Sequence, residues 1–222
     1  LSVTLPIQKA FTATILNGST PWTGNLWWQL YEVNGAVRTL KNSSSATPDR
    51  SGTVLADVPI TAQTKDHHLQ TRMTRKLANG NYLVPQLLDR VVREYDPKGK
   101  VVWEAKAPHM PFTAIRLPDG NTLIGCTLGN LVIEVDKDGK EVWRVTNEDL
   151  TNKPINDACG VQRLDNGNTV ITSHHATANQ VKLLEVTRDK KVVWTYTDDR
   201  RAGIHHFQIL DEKGKPGKNS LR

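Results

Sequence analysis

The sequence predicts an all-β protein made of β-propeller blades, each a four-stranded antiparallel sheet. Two observations support this prediction. A nine-residue motif with a central Gly-Asn pair occurs three times, and its glycines, Gly80, Gly120 and Gly167, are 40 and 47 residues apart. A second motif that ends in tryptophan follows each copy. Four short strands within about 40 residues are typical of one propeller blade.

The first motif predicts a hairpin in each blade. Its copies span residues 76–84, 116–124 and 163–171. Asn-Gly or Asp-Gly between alternating β-branched residues favours a type I′ turn, in which both central residues have positive φ. We therefore expect type I′ turns to join the first two strands of each blade.

The second motif predicts the third and fourth strands. In the first two copies an Asp-x-x-Gly-Lys turn joins two apolar runs, as it does at Asp96 and Gly99. Trp103, Trp143 and Trp194 hold the same place in the fourth strand. A large flat ring at this place can pack between neighbouring blades, so we expect all three tryptophans to be core residues.

The N-terminal residues predict further β structure of one of two kinds. Residues 11–15, 24–31 and 49–59 have the patterns of strands and turns. Residues 1–62 are expected to form either a small sandwich domain, immunoglobulin-like or carboxypeptidase-regulatory-like, or degenerate blades. Residues 63–222 are expected to hold the propeller repeats.

The number of repeats predicts an incomplete ring. They supply three blades and a fourth copy that begins at residues 205–210, whereas propellers close with four to eight blades. An unclosed ring exposes strand edges that promote aggregation. Either the first 65 residues help to close the ring, or another polypeptide or a missing related segment completes the propeller or docks on it. We expect such a partner.

Composition and charge argue against a nucleic-acid-binding protein and against a membrane-spanning protein. The 222 residues include 29 Lys and Arg against 23 Asp and Glu, a net charge of +6, and 37% are hydrophobic. The positive charge is spread over turns, so we expect no nucleic-acid partner. Apolar runs are far shorter than the roughly 20 residues that span a bilayer. The first six residues lack signal-peptide features, so we expect a processed product or a fragment.

Histidines are the strongest candidates for a ligand site. Six of the seven form adjacent pairs, and the full set is His67, His68, His109, His174, His175, His205 and His206. Five of them are the predicted ligand-binding residues at the mouth of the central channel: His67, His68, His109, His205 and His206. The pair His174 and His175 follows a second strand, in a loop that is expected to face the same end.

Alignment of the repeats places the last histidine pair on an innermost strand. His205 and His206 are level with Phe112 and Thr113 of the second blade. Innermost strands line the central channel of a propeller. We therefore expect this pair to face the channel.

A divalent metal ion at the channel mouth is one expected ligand. Neutral imidazole binds Zn, Cu or Fe, and it needs no fixed sequence spacing when the ligands come from different blades. Adjacent residues on a strand point to opposite faces, so one histidine of each pair can be a ligand. The predicted metal set is His68, His109 and His206.

The repeats resemble a known family. Leu-Pro-Asp-Gly-Asn-Thr-Leu-Ile at residues 117–124, and Val-Ile-Glu-Val-Asp-x-x-Gly-Lys-x-Val-Trp ending at Trp143, are similar to the bacterial PQQ-like and arylsulfotransferase-like β-propeller repeats. The resemblance covers about residues 66–222. It implies a bacterial, exported protein that is periplasmic or extracellular.

The resemblance also implies an enzymatic alternative and argues against one cofactor. Arylsulfotransferases carry the sulfuryl group on a channel histidine, which would make His206 the nucleophile with His68 and Arg72 as helpers. The spacing from Asp96 to Trp103 is one residue shorter than the tryptophan-docking pattern of quinoprotein dehydrogenases, and their vicinal cysteine pair is absent. PQQ is therefore not an expected cofactor.

The predicted function is binding or assembly without catalysis, with a ligand or metal site at the channel mouth. The alternative is an arylsulfotransferase-like or metal-dependent enzyme that uses the channel histidines. Cys126 and Cys159 fall in neighbouring blades. A disulfide, a functional thiol and a buried apolar role are open for them.

Overall fold

The computed structural model describes residues 57–210 and, nearer the N-terminus, the backbone of four short strands. These are β1 (Leu16–Asn17), β2 (Thr20–Pro21), β3 (Leu30–Asn34) and β4 (Val37–Asn42). β1 pairs with β2, and β3 pairs with β4, both antiparallel. The strand expected at 11–15 lies outside the described residues, so both interpretations of residues 1–62 stay predictions.

Residues 75–197 form three four-stranded antiparallel sheets, which confirms the predicted blades. The first blade contains β5 (Arg75–Lys76), β6 (Tyr82–Gln86), β7 (Val91–Tyr95) and β8 (Val101–Lys106); the second contains β9 (Pro111–Arg116), β10 (Thr122–Cys126), β11 (Leu131–Val135) and β12 (Glu141–Thr146); the third contains β13 (Val161–Arg163), β14 (Thr169–Thr172), β15 (Val181–Val186) and β16 (Val192–Thr197). Two 3₁₀ helices, η1 (His67–Leu69) and η2 (Asn147–Asp149), precede the first blade and follow the second. The architecture is all-β.

The hairpin turn of each blade differs from the predicted type I′. The turn glycines have φ of 86° to 92°, but the residue before each of them does not have positive φ. In the first blade the Gly80 N–H donates to Leu77 O at 2.9 Å, and the Asn81 N–H donates to Asn79 Oδ1 at 3.0 Å. The Asn79 side chain thus stabilises the turn, and glycine alone occupies the left-handed region.

The hydrophobic core lies between neighbouring blades. One cluster of buried residues joins the first and second blades, and another joins the second and third. Leu83 and Ala105 of the first blade, for example, pack in one cluster with Ile124 and Ile133 of the second. Sheets that pack face to face in succession are the arrangement of a propeller, so the fold prediction is confirmed.

A segment before the first blade covers its free face. Val58, which is fully buried, and Ile60 pack against a cluster of the first blade that includes Val84. Ala105 and Ala107, at the end of the first blade, cover the matching face of the second blade. This segment therefore takes the place that the outer strand of a preceding blade would occupy.

A chain of polar contacts crosses the interface between the first and second blades. Glu94 accepts hydrogen bonds from Asn81 of its own blade at 2.7 Å and from Arg116 of the next blade at 2.8 Å. The Arg116 guanidinium carbon lies 4.3 Å from the centre of the Trp103 ring. The indole N–H of Trp103 donates to Lys137 O at 2.7 Å, so the predicted packing of Trp103 between blades is confirmed.

The same contacts recur between the second and third blades. Glu134 accepts hydrogen bonds from Asn121 at 2.7 Å, from Arg163 at 2.8 Å and from Arg188. Both arginines lie over Trp143, at 5.4 and 5.2 Å from its ring centre. Burial alone would raise the pKa of Glu134, but the hydrogen bonds from Asn121 and Arg188 lower it below its usual value. The carboxylate is therefore charged and paired across the interface.

Candidate functional site

Three histidines and a phenylalanine make mainly edge-to-face contacts at the end of the sheets where the inner strands begin. Phe112 lies near the start of β9, His174 in the loop after β14, and His205 and His206 in the segment after β16. The ring centre of His205 lies 4.6 Å from that of Phe112, 4.4 Å from that of His174 and 4.1 Å from that of His206. We call these four residues the histidine cluster. The cluster brings the predicted pair, His205 and His206, into contact with His174. The sequence places the loop of His174 at the same end of the blades.

The segment that carries the histidine pair is irregular and is not the predicted innermost strand. The Gln162 side chain holds it, because Gln162 Oε1 accepts from the Ile209 N–H at 2.8 Å and Nε2 donates to Ile209 O at 3.3 Å. At Gly203 the backbone passes so close to the loop after β14 that a Cβ would lie 2.6 Å from Ser173 O. These contacts, rather than a β-ladder, position the pair.

The His205 and His206 imidazoles share a hydrogen bond. Nδ1 of His205 lies 2.7 Å from Nε2 of His206, so one ring must offer a lone pair and is neutral. Burial, followed by the charges of His206 and His174, lowers the pKa of His205 to about 4. Desolvation and the charge of Arg75 also lower the pKa of His206, although part of its side chain is exposed. Both rings are neutral at pH 7 and can act as ligands or hydrogen-bonding groups.

Two arginines lie near the histidine cluster. The guanidinium carbon of Arg72 lies 5.9 Å from the centre of the Phe112 ring, which places this predicted helper beside the cluster. Nε of Arg75, on β5, is buried and has no hydrogen-bond partner. Burial lowers the pKa of Arg75 to about 10, so the group stays charged at pH 7. Positive charge beside neutral imidazoles makes this end of the blades suitable for an anion.

The other predicted ligand histidines lie apart from the cluster. His67 and His68 are exposed on η1, and Nδ1 of His109 lies 2.8 Å from Thr127 O. In the part of the chain that the structure describes, no hydrogen bond or ring contact joins His68 or His109 to His206. Among the described residues, the group whose ligand atoms lie close enough for one metal ion does not include His68, His109 or His206. The predicted metal set and the predicted role of His68 as a helper of His206 therefore stay predictions.

A different group has the geometry of metal ligands. Asp157, His174 and His175 each offer one ligand atom, and these atoms lie within 4.8 Å of one another; no other such group occurs among the described residues. Asp157 lies in the irregular loop before β13 and has a φ of 72°. It belongs to no repeat, so sequence reasoning missed it, whereas the adjacent histidines were a visible signal.

The two cysteines are buried and free, so the structure contains no disulfide between them. Burial raises the pKa of Cys126 to about 12. Burial and the charge of Asp157 raise the pKa of Cys159 to about 12 as well. A thiol that stays protonated and inaccessible is a packing residue, so of the three alternatives the structure supports the buried apolar role.

We expect neither cysteine of the folded chain to react with iodoacetamide at pH 8. A thiol with a pKa of about 12 is ionised roughly a thousandfold less than one at 9.0, and both side chains are inaccessible. Mass spectrometry should show labelled cysteines only after the chain is unfolded in urea. Rapid labelling of either cysteine without urea would contradict the packing role.

Within residues 57–210, the glutamate of the third blade lacks the arginine that pairs with its counterparts in the first two blades. Glu185 accepts a hydrogen bond from Asn168 at 2.6 Å, but no arginine reaches it among the described residues. Ile209 stands at the repeat position that arginine holds in the two preceding copies. Trp194 is 43% exposed, whereas its two counterparts are half-buried. The prediction that Trp194 is a core residue is therefore wrong, because no described blade covers it.

Comparison with known proteins finds similar structures. No protein-family model matches the chain, and no curated protein matches it. A Bacteroides caccae protein of unknown function is 26% identical, with a TM-score of 0.61 over 69% of this chain and 58% of that one. A streptogramin B lyase is 15% identical, with a TM-score of 0.48 over 60% and 42%. A Bacteroides fragilis protein named as exported is 11% identical, with a TM-score of 0.48 over 68% and 46%.

The Bacteroides caccae protein, at a TM-score of 0.61, is similar to this chain in fold. The chain spans less than two thirds of the length of each of the three proteins, at 58%, 42% and 46%. Within the described residues, no helix has the length and apolar character needed to cross a membrane.

Proposed function

We propose that the chain is a binding and assembly module, and that its third blade docks another polypeptide. The docking surface consists of Trp194 and Glu185, and we call it the third-blade edge. The observation that carries the proposal is that Trp194 is exposed beside a carboxylate at the one blade edge where no arginine follows in the described residues. Tryptophan is one of the residue types enriched among the anchors of protein interfaces.

The two interfaces between described blades support an expectation about the chemistry of the partner. Arg116 and Arg163 each pair with a carboxylate of the preceding blade and lie over its tryptophan. We therefore expect the partner to present a basic side chain, ideally arginine, to Glu185 and Trp194. A repeat of the same kind, with arginine directly before a Leu-x-x-Gly-Asn turn, meets this expectation. Charge complementarity of this kind gives specificity and speeds association.

A second copy of this chain is a poorer occupant of the third-blade edge. Its first blade has Lys76 at the position of the arginine. Val58 and Ile60 already cover the face of the first blade that would have to dock. The proposed occupant is therefore a different polypeptide that carries blade repeats, and a related segment outside residues 1–222 is the alternative.

Native mass spectrometry of the chain purified from the cells that make it tests this proposal. We expect a second polypeptide in the complex, with an arginine-bearing repeat in its sequence. Trp194→Ala should weaken the complex roughly 30-fold, because a buried aromatic anchor contributes about 2 kcal/mol to binding.

Val193→Ala is the matched control for Trp194→Ala. Val193 lies on the same strand and is 54% exposed, and its counterpart Val102 stays exposed at the interface between the first and second blades. The control should therefore leave the complex unchanged. A monomeric chain would overturn the proposal, and so would a complex that survives both Trp194→Ala and Glu185→Arg.

The histidine cluster favours a second candidate function, an arylsulfotransferase-like or metal-dependent enzyme. The specific observation is the 2.7 Å contact between His205 and His206 close to Arg72. In this arrangement His205, rather than His68, would orient a nucleophilic His206. Assays with an aryl sulfate donor test this function, and His206→Ala should abolish turnover without affecting the third-blade edge.

We also propose membership of the PQQ-like and arylsulfotransferase-like repeat family. The motif at residues 117–124 and the tryptophan-ending motif after it support this assignment. A periplasmic or extracellular location follows from the same resemblance. Detection of the chain in a periplasmic or culture-medium fraction, rather than in the cytoplasmic fraction, tests the location.

A further inference from the structure

A carboxylate and two imidazoles converge where the loop before β13 meets the loop after β14. Their ligand atoms lie within 4.8 Å of one another, and Asp157 Oδ2 lies 3.3 Å from Nδ1 of His175. Ligand atoms around a tetrahedral metal ion lie about 3.3 Å apart when the metal–ligand bonds are about 2.0–2.1 Å. Small side-chain rotations would therefore bring all three groups onto one ion.

His174 provides a second, independent sign of a ligand. Its Nδ1 is buried and has no hydrogen-bond partner, and an unsatisfied buried polar atom costs about 1–3 kcal/mol. The ring is held in place by a T-shaped contact with His205, whose ring centre lies 4.4 Å away. Native structures leave few buried polar atoms unsatisfied. A metal ion bound through Nδ1 of this ring would remove the cost.

Hydrogen bonds within the chain hold the Asp157 carboxylate in place. Its Oδ1 accepts hydrogen bonds from the Thr127 hydroxyl and, at 2.8 Å, from the Leu128 N–H. Its own N–H donates to Asn130 Oδ1 at 2.8 Å. The other carboxylate oxygen faces His175. Hydrogen bonds of this kind orient the carboxylates that bind metal ions in proteins, and the positive φ of Asp157 is a strained conformation of the sort found at functional sites.

We infer that Asp157, His174 and His175 bind a divalent first-row transition-metal ion of the zinc class. Two imidazoles and one carboxylate suit such an ion, whereas Ca²⁺ and Mg²⁺ prefer oxygen ligands alone. Three protein ligands leave a fourth position for water, as in catalytic zinc sites. The set shares no residue with the metal set that the sequence predicted, and it is independent of the third-blade edge.

Calorimetric titration of the intact, EDTA-treated chain with Zn²⁺ at pH 7.5 tests the inference. We expect one ion per chain. Asp157→Asn and His175→Asn should each weaken Zn²⁺ binding at least tenfold. Both variants should fold, because asparagine keeps the shape of Asp157 and tolerates positive φ, and because the His175 side chain is 56% exposed.

Thr127 is a positioning residue for this site. Thr127→Val removes the hydroxyl that donates to Asp157 and should weaken Zn²⁺ binding 10- to 100-fold, as is usual for groups that orient a ligand. Thr127→Ser keeps the hydroxyl and should restore most of the affinity. A merely structural role of Thr127 would lower thermal stability in the valine variant without changing the affinity for Zn²⁺.

His68→Asn is the matched control, because His68 is exposed on η1 and belongs to the set that the sequence predicted. It should bind Zn²⁺ as tightly as the unchanged chain. Absence of binding by the folded chain would overturn the inference. Unchanged affinity in both Asp157→Asn and His175→Asn would overturn it too, as would loss of binding in His68→Asn. EDTA should not dissociate the partner at the third-blade edge, so the two proposals fail separately.

Discussion

Glu134→Ala is expected to destabilise the chain by about 3–5 kcal/mol. The Glu134 carboxylate is 3% exposed and accepts hydrogen bonds from Asn121, Arg163 and Arg188. Arg163 is itself buried, so the substitution leaves a buried guanidinium without its counter-charge, and breaking a buried pair in this way costs about that amount. Urea unfolding at pH 7, followed by tryptophan fluorescence, measures the change in the free energy of unfolding.

Glu185→Ala is the matched control, because Glu185 holds the same repeat position in the third blade. It keeps the contact with asparagine but, in the described part of the chain, pairs with no arginine. We expect it to cost less than about 1 kcal/mol, the usual contribution of a partly exposed hydrogen bond. Equal losses in the two variants would mean that the glutamates stabilise their own blades through asparagine and that the arginines contribute little.

Gly203→Ala is expected to cost about 1–3 kcal/mol and to separate His205 from His174. An added Cβ would overlap the carbonyl group of His174 and lie 2.6 Å from Ser173 O. Both are backbone atoms, which cannot rotate away, so the whole segment must move, and overpacking of this kind carries a penalty of that size. Movement of the segment should hydrate the His205 ring and raise its pKa from about 4 towards its ordinary value of 6.5.

NMR titration of the histidine rings, together with urea unfolding, checks this expectation. Gly120→Ala is the comparison, because a Cβ there meets nothing within 4 Å and the substitution adds only backbone strain at φ of 92°. It should destabilise the chain but leave the pKa of His205 unchanged. If Gly203→Ala also left that pKa unchanged, the close approach at Gly203 would not be what holds the histidine cluster together.

The blades could be predicted because their determinants are local and occur three times. The turn glycines, the alternation of the strands and the strand boundaries depend on neighbouring residues within one hairpin. The predicted type I′ turn was wrong. The Asn-Gly pattern alone does not reveal that the Asn79 side chain accepts a hydrogen bond from the Asn81 N–H. That contact stabilises a turn in which only the glycine needs positive φ.

The burial of Trp194 could not be predicted from its repeat. Trp103, Trp143 and Trp194 hold the same place in the same strand, and yet the last of them is exposed. Burial at this position depends on the blade that follows, and especially on its arginine. The isoleucine at residue 209 was the available signal, because it stands where the earlier copies have arginine.

The candidate site was predicted in part. Alignment with Phe112 pointed to His205 and His206, and the structure brings all three rings together. His68 is also a histidine, but it lies on a 3₁₀ helix outside the repeats. Alignment of the repeats therefore could not predict its position. Asp157 was missed because the loop before β13 has no counterpart in the other blades, so its position depends entirely on tertiary contacts such as the hydrogen bond from Leu128.

The pairing of glutamate and tryptophan on one blade with arginine on the next makes the two sides of both described interfaces different. Two unlike surfaces meet, so blades can follow one another in a single order but cannot pair through identical faces. A duplicated second blade, inserted after the original, would have an arginine for the preceding glutamate and a glutamate for the following arginine. Tandem gene duplication of a unit of about 40 residues can therefore lengthen this protein while keeping the pairing of glutamate with arginine between consecutive blades.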